Sequence, residues 1–270
     1  MKPLIDMNSH LSAYELSEIV GLMSESQALK PWRQFVLSGY DLDDWSKQKA
    51  FLSSGHSLEK EVFPSLGFHP WRVARMAESS SSGAVFRELK NVELAMDRDQ
   101  SMYSFVGEIG LDKSVESEAS PWELQERVFK AMLEKAAAYD KPLVLHVVSA
   151  HERALQILAE HGKKWRGVVH GFSGSVELAL RYVAMGLKIS VGPNVRNENF
   201  KKLRQTLARP EIHPHLVFET DQPHSLDGPE PFDFELLPMI IAEVSKLTGL
   251  PEQQLVDKAC QSFLEMVSVN

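Results

Sequence analysis

The chain has 270 residues, 43% of them hydrophobic and 24% charged, with 37 acidic against 29 basic side chains and a formal charge of −8. This composition excludes a disordered tail, a collagenous repeat and a disulfide-stapled miniprotein, and the negative field excludes a generic histone-like binder of nucleic acid. The lone cysteine Cys260, an N-terminus without a signal-type apolar core and the lack of any apolar run near the roughly 20 residues that span a bilayer lead us to expect a cytoplasmic chain without a membrane helix.

Short apolar runs alternate along the chain with stretches of helical periodicity. The runs are 4–6, 35–37, 62–66, 104–106, 143–145, 167–169, 187–191 and 216–218. Most are apolar throughout, as expected of parallel strands covered on both faces. Between them Leu16, Ile19, Val20 and Met23 fall at helical spacing, and the best-marked helix runs from Pro121 to Tyr139, with Ser120 as its expected N-cap. The serine run 79–82 reads as a flexible loop entering a helix near Ala84. Eight βα units in about 250 residues is the arithmetic of a (β/α)8 TIM barrel, whereas a doubly wound sheet usually has fewer strands and a glycine-rich first turn, absent here. No composition shift divides the chain, so residues 1–270 are expected to form one barrel domain.

Polar side chains capable of holding a metal follow the apolar runs, at the end where a barrel carries its active site. His10 follows the first run, His69 the third, Glu108 the fourth, His146 the fifth, His170 the sixth and Asp221 the eighth. A single such histidine is more often a hydrogen-bonded structural group, and a single aspartate more often an N-cap. Six converging on one region are costly to bury unless something charged sits between them, and a divalent cation suits imidazole and carboxylate donors.

The motifs containing these residues resemble the TatD-type metal-dependent deoxyribonucleases, a family of amidohydrolase-like barrels. Asp6-Met7-Asn8-Ser9-His10 is similar to that family's D-x-H-x-H, 67–70 to its G-x-H-P, and 107–112 is its GEIGLD unchanged. The strand-five histidine is matched by His146, H-x-F-S-G by 170–174 and E-T-D-x-P by 219–223. The resemblance implies a site for one or two divalent ions (Mg, Mn or Zn) bridged by Glu108. One ion would be held with His146 and His170, the other with the N-terminal pair and Asp221. Asp221 would take a proton from the attacking water, His69 would contact phosphate, and the substrate would be DNA, as single strands or 3′ ends.

The chain also departs from the family. Asn8 replaces the first histidine, and a neutral amide oxygen there should favour Mg²⁺ or Mn²⁺ over Zn²⁺ or leave that position partly empty. Val147-Val148 follows His146 where a serine and an arginine are usual, a lysine before the seventh helix is missing, and the terminal R-N-E-P survives only as Gly228-Pro229-Glu230-Pro231. These losses motivate a second reading, a catalytically weakened subunit of a multi-protein bacterial system such as an anti-phage defence operon. A third reading keeps hydrolysis but acts on a small phosphoester or lactone.

Other features read more plainly. The basic run Arg196, Lys201, Lys202, Arg204, Arg209 is the solvated face of a helix before it is a nucleic-acid track. Residues 163–166 close the loop before the sixth strand, His213-Pro214-His215 forms a surface loop on the opposite barrel face, and Cys260 is a small buried group of the last helix. Trp71 either stacks a base at the mouth or packs a loop on the rim; the sequence leaves both open.

Overall fold

The computed structural model describes residues 2–28, 33–53, 61–118, 120, 122–223 and 230–268. Eight parallel strands form one sheet in sequential order: β1 (Leu4–Ser9), β2 (Arg33–Leu37), β3 (Val62–Leu66), β4 (Phe105–Asp112), β5 (Leu143–Val148), β6 (Gly167–Val169), β7 (Lys188–Val191) and β8 (Leu216–Phe218). The first and last strands meet through a bridge between Ser9 and Gln222, with Asp221 N donating to Asn8 O (3.0 Å) and His10 N to Gln222 O (2.7 Å). This is the (β/α)8 barrel that the count of apolar runs predicts. Each run matches a strand, but β1, β4 and β5 continue past their apolar stretches, so Asn8, Glu108 and His146 lie within strands rather than after them.

The helices are α1 (Leu16–Ala28), α2 (Leu42–Leu52), α3 (Pro70–Ser79), α4 (Ser82–Arg98), α5 (Trp122–Ala138), α6 (His151–Glu160), α7 (Val176–Ala184), α8 (Lys201–Leu207), α9 (Leu236–Thr248) and α10 (Glu252–Val267). They cover the outside of the sheet, so strand residues such as Val106, Leu143, Leu145 and Val169 are fully buried. Each such side chain contributes about 1.5–3 kcal/mol relative to exposure. No helix among the described residues is long and apolar enough to cross a membrane.

Several local expectations need correction. The serine run is a tight junction between two helices rather than a loop: α3 ends at Ser79, and Ser81 caps α4 by accepting from Ala84 N. The Ser120 hydroxyl is buried without a hydrogen-bond partner, so it does not cap α5, and Pro121 lies outside the described residues. Gly228 and Pro229 do so too. His213 is no surface residue: it is buried just before β8 and bonds Leu207 O at 2.9 Å, satisfying a backbone group. Cys260 is buried in α10, as read, and Trp165, in the segment before β6, is buried too. Within the basic run Arg204 pairs with Glu243 and Arg209 with Glu211.

Candidate metal centre at the barrel mouth

Two strands that carry site residues are irregular where the site begins. In β4, Gly107 pairs with Val144 and Ile109 with Leu145, leaving Glu108 as an extra residue; β1 gains one likewise between Asp6 and Ser9, opposite Phe35 and Leu37. Such bulges re-aim a side chain that regular alternation would place elsewhere. The β4 bulge is held by Glu108 N donating to Gly39 O (2.6 Å) and Ser65 Oγ donating to Gly107 O (2.6 Å). Gly67 lets the neighbouring backbone approach, because a Cβ there would stand 2.4 Å from Gly107 C and 2.5 Å from Glu108 O.

Glu108, only 1% exposed, is the hub. Its Oε1 lies 3.1 Å from His10 Nε2, and Asp221 Oδ1 lies 3.4 Å from that same nitrogen. Around Oε2 stand His69 Nε2 at 3.1 Å, His170 Nε2 at 3.2 Å and His146 Nδ1 at 3.6 Å, with the last two nitrogens 2.9 Å apart. One carboxylate therefore faces two donor sets through its two oxygens. Among the described residues two groups with metal-binding spacing result: His69, Glu108 and His146, and His10, Glu108 and Asp221.

The residues around this hub fix the histidine roles. His146 Nε2 is 3.0 Å from Asp112 Oδ2 and donates to it, which leaves Nδ1 bare to face Glu108 and His170. A ligand histidine backed by a carboxylate is the usual way a protein orients imidazole toward a cation. His69 is different. It is the N-cap of α3, and its Nδ1 accepts from Trp71 N at 3.0 Å, so in the neutral ring Nε2 carries the proton and donates toward Glu108. His69 is thus a donor at the mouth, although it lies as close to Glu108 as His170 does.

Asn8 is fully buried and sits between the two donor sets. Its Nδ2 donates to Asp221 Oδ1 (2.8 Å) and lies 3.1 Å from His170 Nδ1, while Oδ1, the atom able to ligate, has no hydrogen-bond partner. Asp6 of the same motif ties β1 to the end of β8, accepting from Thr220 N (2.8 Å) and Thr220 Oγ1 (2.6 Å). Glu219 accepts from Ser190 Oγ and Gly171 N and stands 3.6 Å from His170 Nδ1. The sequence reading assigned no role to Asp6, Asp112 or Glu219; their places inside recognised motifs were the available signal.

Charges in the site are strongly coupled. Burial favours a neutral Glu108, but the charges of His170 and His10 and the hydrogen bond from His10 hold it well below the ordinary carboxylate range. His10 is pulled down by burial, yet the Glu108 charge and the bonds to Asp221 and Glu108 push it up to about 10. Burial and the neighbouring His146 hold His69 down at about 4. Asp221 is lowered: burial raises it, but His10 and His170 outweigh that.

A divalent cation fits this arrangement. Asn8 Oδ1 and His10 Nδ1 are buried and make no hydrogen bond, a costly state for polar atoms. Donors about 2.0–2.2 Å from one ion in a tetrahedral arrangement stand about 3.4 Å apart. The spacings of 2.9, 3.2 and 3.6 Å among His146 Nδ1, His170 Nε2 and Glu108 Oε2 bracket that value.

Fold and site together define a (β/α)8 barrel with a candidate metal centre of histidine and carboxylate at its mouth. The chain belongs to the family described as TatD related DNase, which it matches over residues 5–267. It is 32% identical over 162 residues to "Uncharacterized metal-dependent hydrolase YjjV" of Escherichia coli, covering 60% of this chain and 58% of that protein. It is 33% identical over 165 residues to "3'-5' ssDNA/RNA exonuclease TatD" of Escherichia fergusonii, covering 58% of this chain and 60% of that one. Both alignments thus span less than two thirds of the relative. The crystal structure of YjjV, a TatD homolog from E. coli, superposes with a TM-score of 0.81 at 25% identity, covering 99% of this chain and 98% of that one.

Proposed function

We propose that this chain is a metal-dependent hydrolase that cleaves phosphodiester bonds in DNA, acting on single strands or 3′ ends. The observation that carries the reading is the division of Glu108, whose Oε2 faces His146 and His170 while Oε1 faces His10 and Asp221. Divalent ions bound by these two sets would supply a water acidified to near neutral pH and offset charge on phosphoryl oxygens. The chain's own residues supply position and proton transfer. Asp221, a carboxylate at neutral pH and partly open to the mouth, accepts the proton of the attacking water. His69 donates its Nε2 proton to a phosphoryl oxygen, and Asp112 keeps His146 turned inward. The exonuclease name of the E. fergusonii relative supports nucleic acid as the substrate class.

The test is a calorimetric titration with Mg²⁺, Mn²⁺ and Zn²⁺ alongside cleavage of 3′-labelled single-stranded DNA. Glu108→Ala should remove both binding and cleavage, because the carboxylate common to the two donor sets is gone. Wild-type turnover in that variant would place the activity elsewhere. Inactivity of the wild-type chain and of Asn8→His with every metal would leave the weakened-subunit reading in its place.

A further inference from the structure

Trp71 combines two properties that are seldom found together. Its indole N–H is anchored at 2.6 Å to Asp112 Oδ2, the oxygen that also receives His146 Nε2–H, yet the residue is 41% exposed. Its ring meets those of His69 and His146 edge to face, with centroids 5.8 and 6.2 Å away. It lines the same cavity of about 150 Å³ as Glu108, His146, His170 and Asp221, and Tyr40 and Pro223 line it as well. Charged and aromatic side chains thus share one cavity, and Trp71 is the exposed aromatic among them. An indole packed only to close a loop would be buried; this one is 41% exposed while its edge is fixed.

Stacking of a base on an aromatic side chain needs a flat face held in one orientation, and every base offers a π-face to it. Resting on the phosphodiester reading above, we propose that Trp71 is a stacking platform for one of the two nucleobases flanking the scissile phosphate. It would make an unpaired base beside that phosphate part of what the enzyme selects. A paired base, stacked between its neighbours in a duplex, does not present a face to Trp71 without being extruded. Trp71 follows directly after the G-x-H-P motif rather than belonging to it, so the platform is a feature of this chain's own sequence.

The experiment compares a phosphorothioate-linked pentathymidylate with the same strand made abasic at the terminal or the penultimate position. Binding is read by fluorescence anisotropy in Mn²⁺, with KM and kcat measured on the phosphodiester versions. The wild-type chain should bind the full strand about 10-fold more tightly than one of the abasic strands. Trp71→Ala should bind both with the weaker affinity. Trp71→Phe, which keeps a flat ring but loses the bond to Asp112, should retain most of the discrimination and guards against misfolding of the alanine variant. Equal binding of full and abasic strands by the wild type, discrimination surviving in Trp71→Ala, or no binding of any strand overturns the platform. Discrimination in binding without cleavage keeps the platform and removes the nuclease reading; cleavage without discrimination does the reverse.

Discussion

His69 and His146 are both buried and both face Glu108, yet their outer nitrogens give them different tasks. A backbone N–H occupies Nδ1 of His69, and a carboxylate receives Nε2–H of His146. The expected consequence is a split between chemistry and metal binding. His69→Ala should lower kcat by about 10²–10³-fold, the cost of removing one preorganised donor, while calorimetric metal affinity stays near wild type. A fall in metal affinity matching that of Glu108→Ala would make His69 a ligand instead. Asn8 supports a second prediction: the wild-type chain should bind one ion tightly and another only at high concentration, and Asn8→His should tighten the weaker one. Two equally tight sites in the unchanged protein would refute this. Sequence motifs locate His10, His69, Glu108, His146, His170 and Asp221 because ligating residue types are rare at strand ends. They do not reveal which nitrogen of His146 is free, since that is set by Asp112, a contact that exists only once β4 and β5 lie side by side; for His69 it is set locally, by Trp71 N at the start of α3.

Among the elements, β4 shows what periodicity can and cannot convey. The run 104–106 marks the strand because it is apolar, but the strand continues through Glu108 to Asp112, where polar residues facing the mouth end the hydrophobic signal. β1 and β5 were shortened in the same way, by Asn8 and His146. The bulge at Glu108 was not legible, because its cause lies in Gly39, just after β2, and in Ser65 on β3. Gly67 is the most exposed to a test. In Gly67→Ala the new methyl meets backbone atoms that cannot rotate away, so the variant should lose about 1–3 kcal/mol in urea unfolding and also bind metal less tightly through displacement of Glu108. Unchanged stability and affinity would show that β4 shifts without penalty.

For the whole molecule the site makes metal-free stability depend on pH in two opposite directions. His10 has an ordinary value of 6.5 and a folded value of about 10, so the folded state holds a proton that the unfolded chain has released. Its contribution is complete below pH 6.5 and is lost as pH rises toward 10. His69 is held at about 4, so its contribution is present above pH 6.5 and is lost as pH falls toward 4. In chelator, the melting temperature should fall as pH rises from 6.5 toward 10; on the acid side the His69 loss is opposed by Asp6, whose burial raises its carboxyl to about 7. His10→Asn should flatten the alkaline side and His69→Gln part of the acid side. A melting temperature that is level between pH 6.5 and 10 in the wild type would contradict the coupling of His10 to Glu108.

The ring of strands has one seam, between the first stave and the last, and it is fastened by the backbones of Asn8, His10, Asp221 and Gln222. Three of these four also present side chains toward the candidate centre. A cation held there would act as a rivet through the joint, drawing together the first strand and the end of the last. Its departure would loosen the barrel at that stave before any other, so ion loading and the closing of the ring are one event seen from two sides.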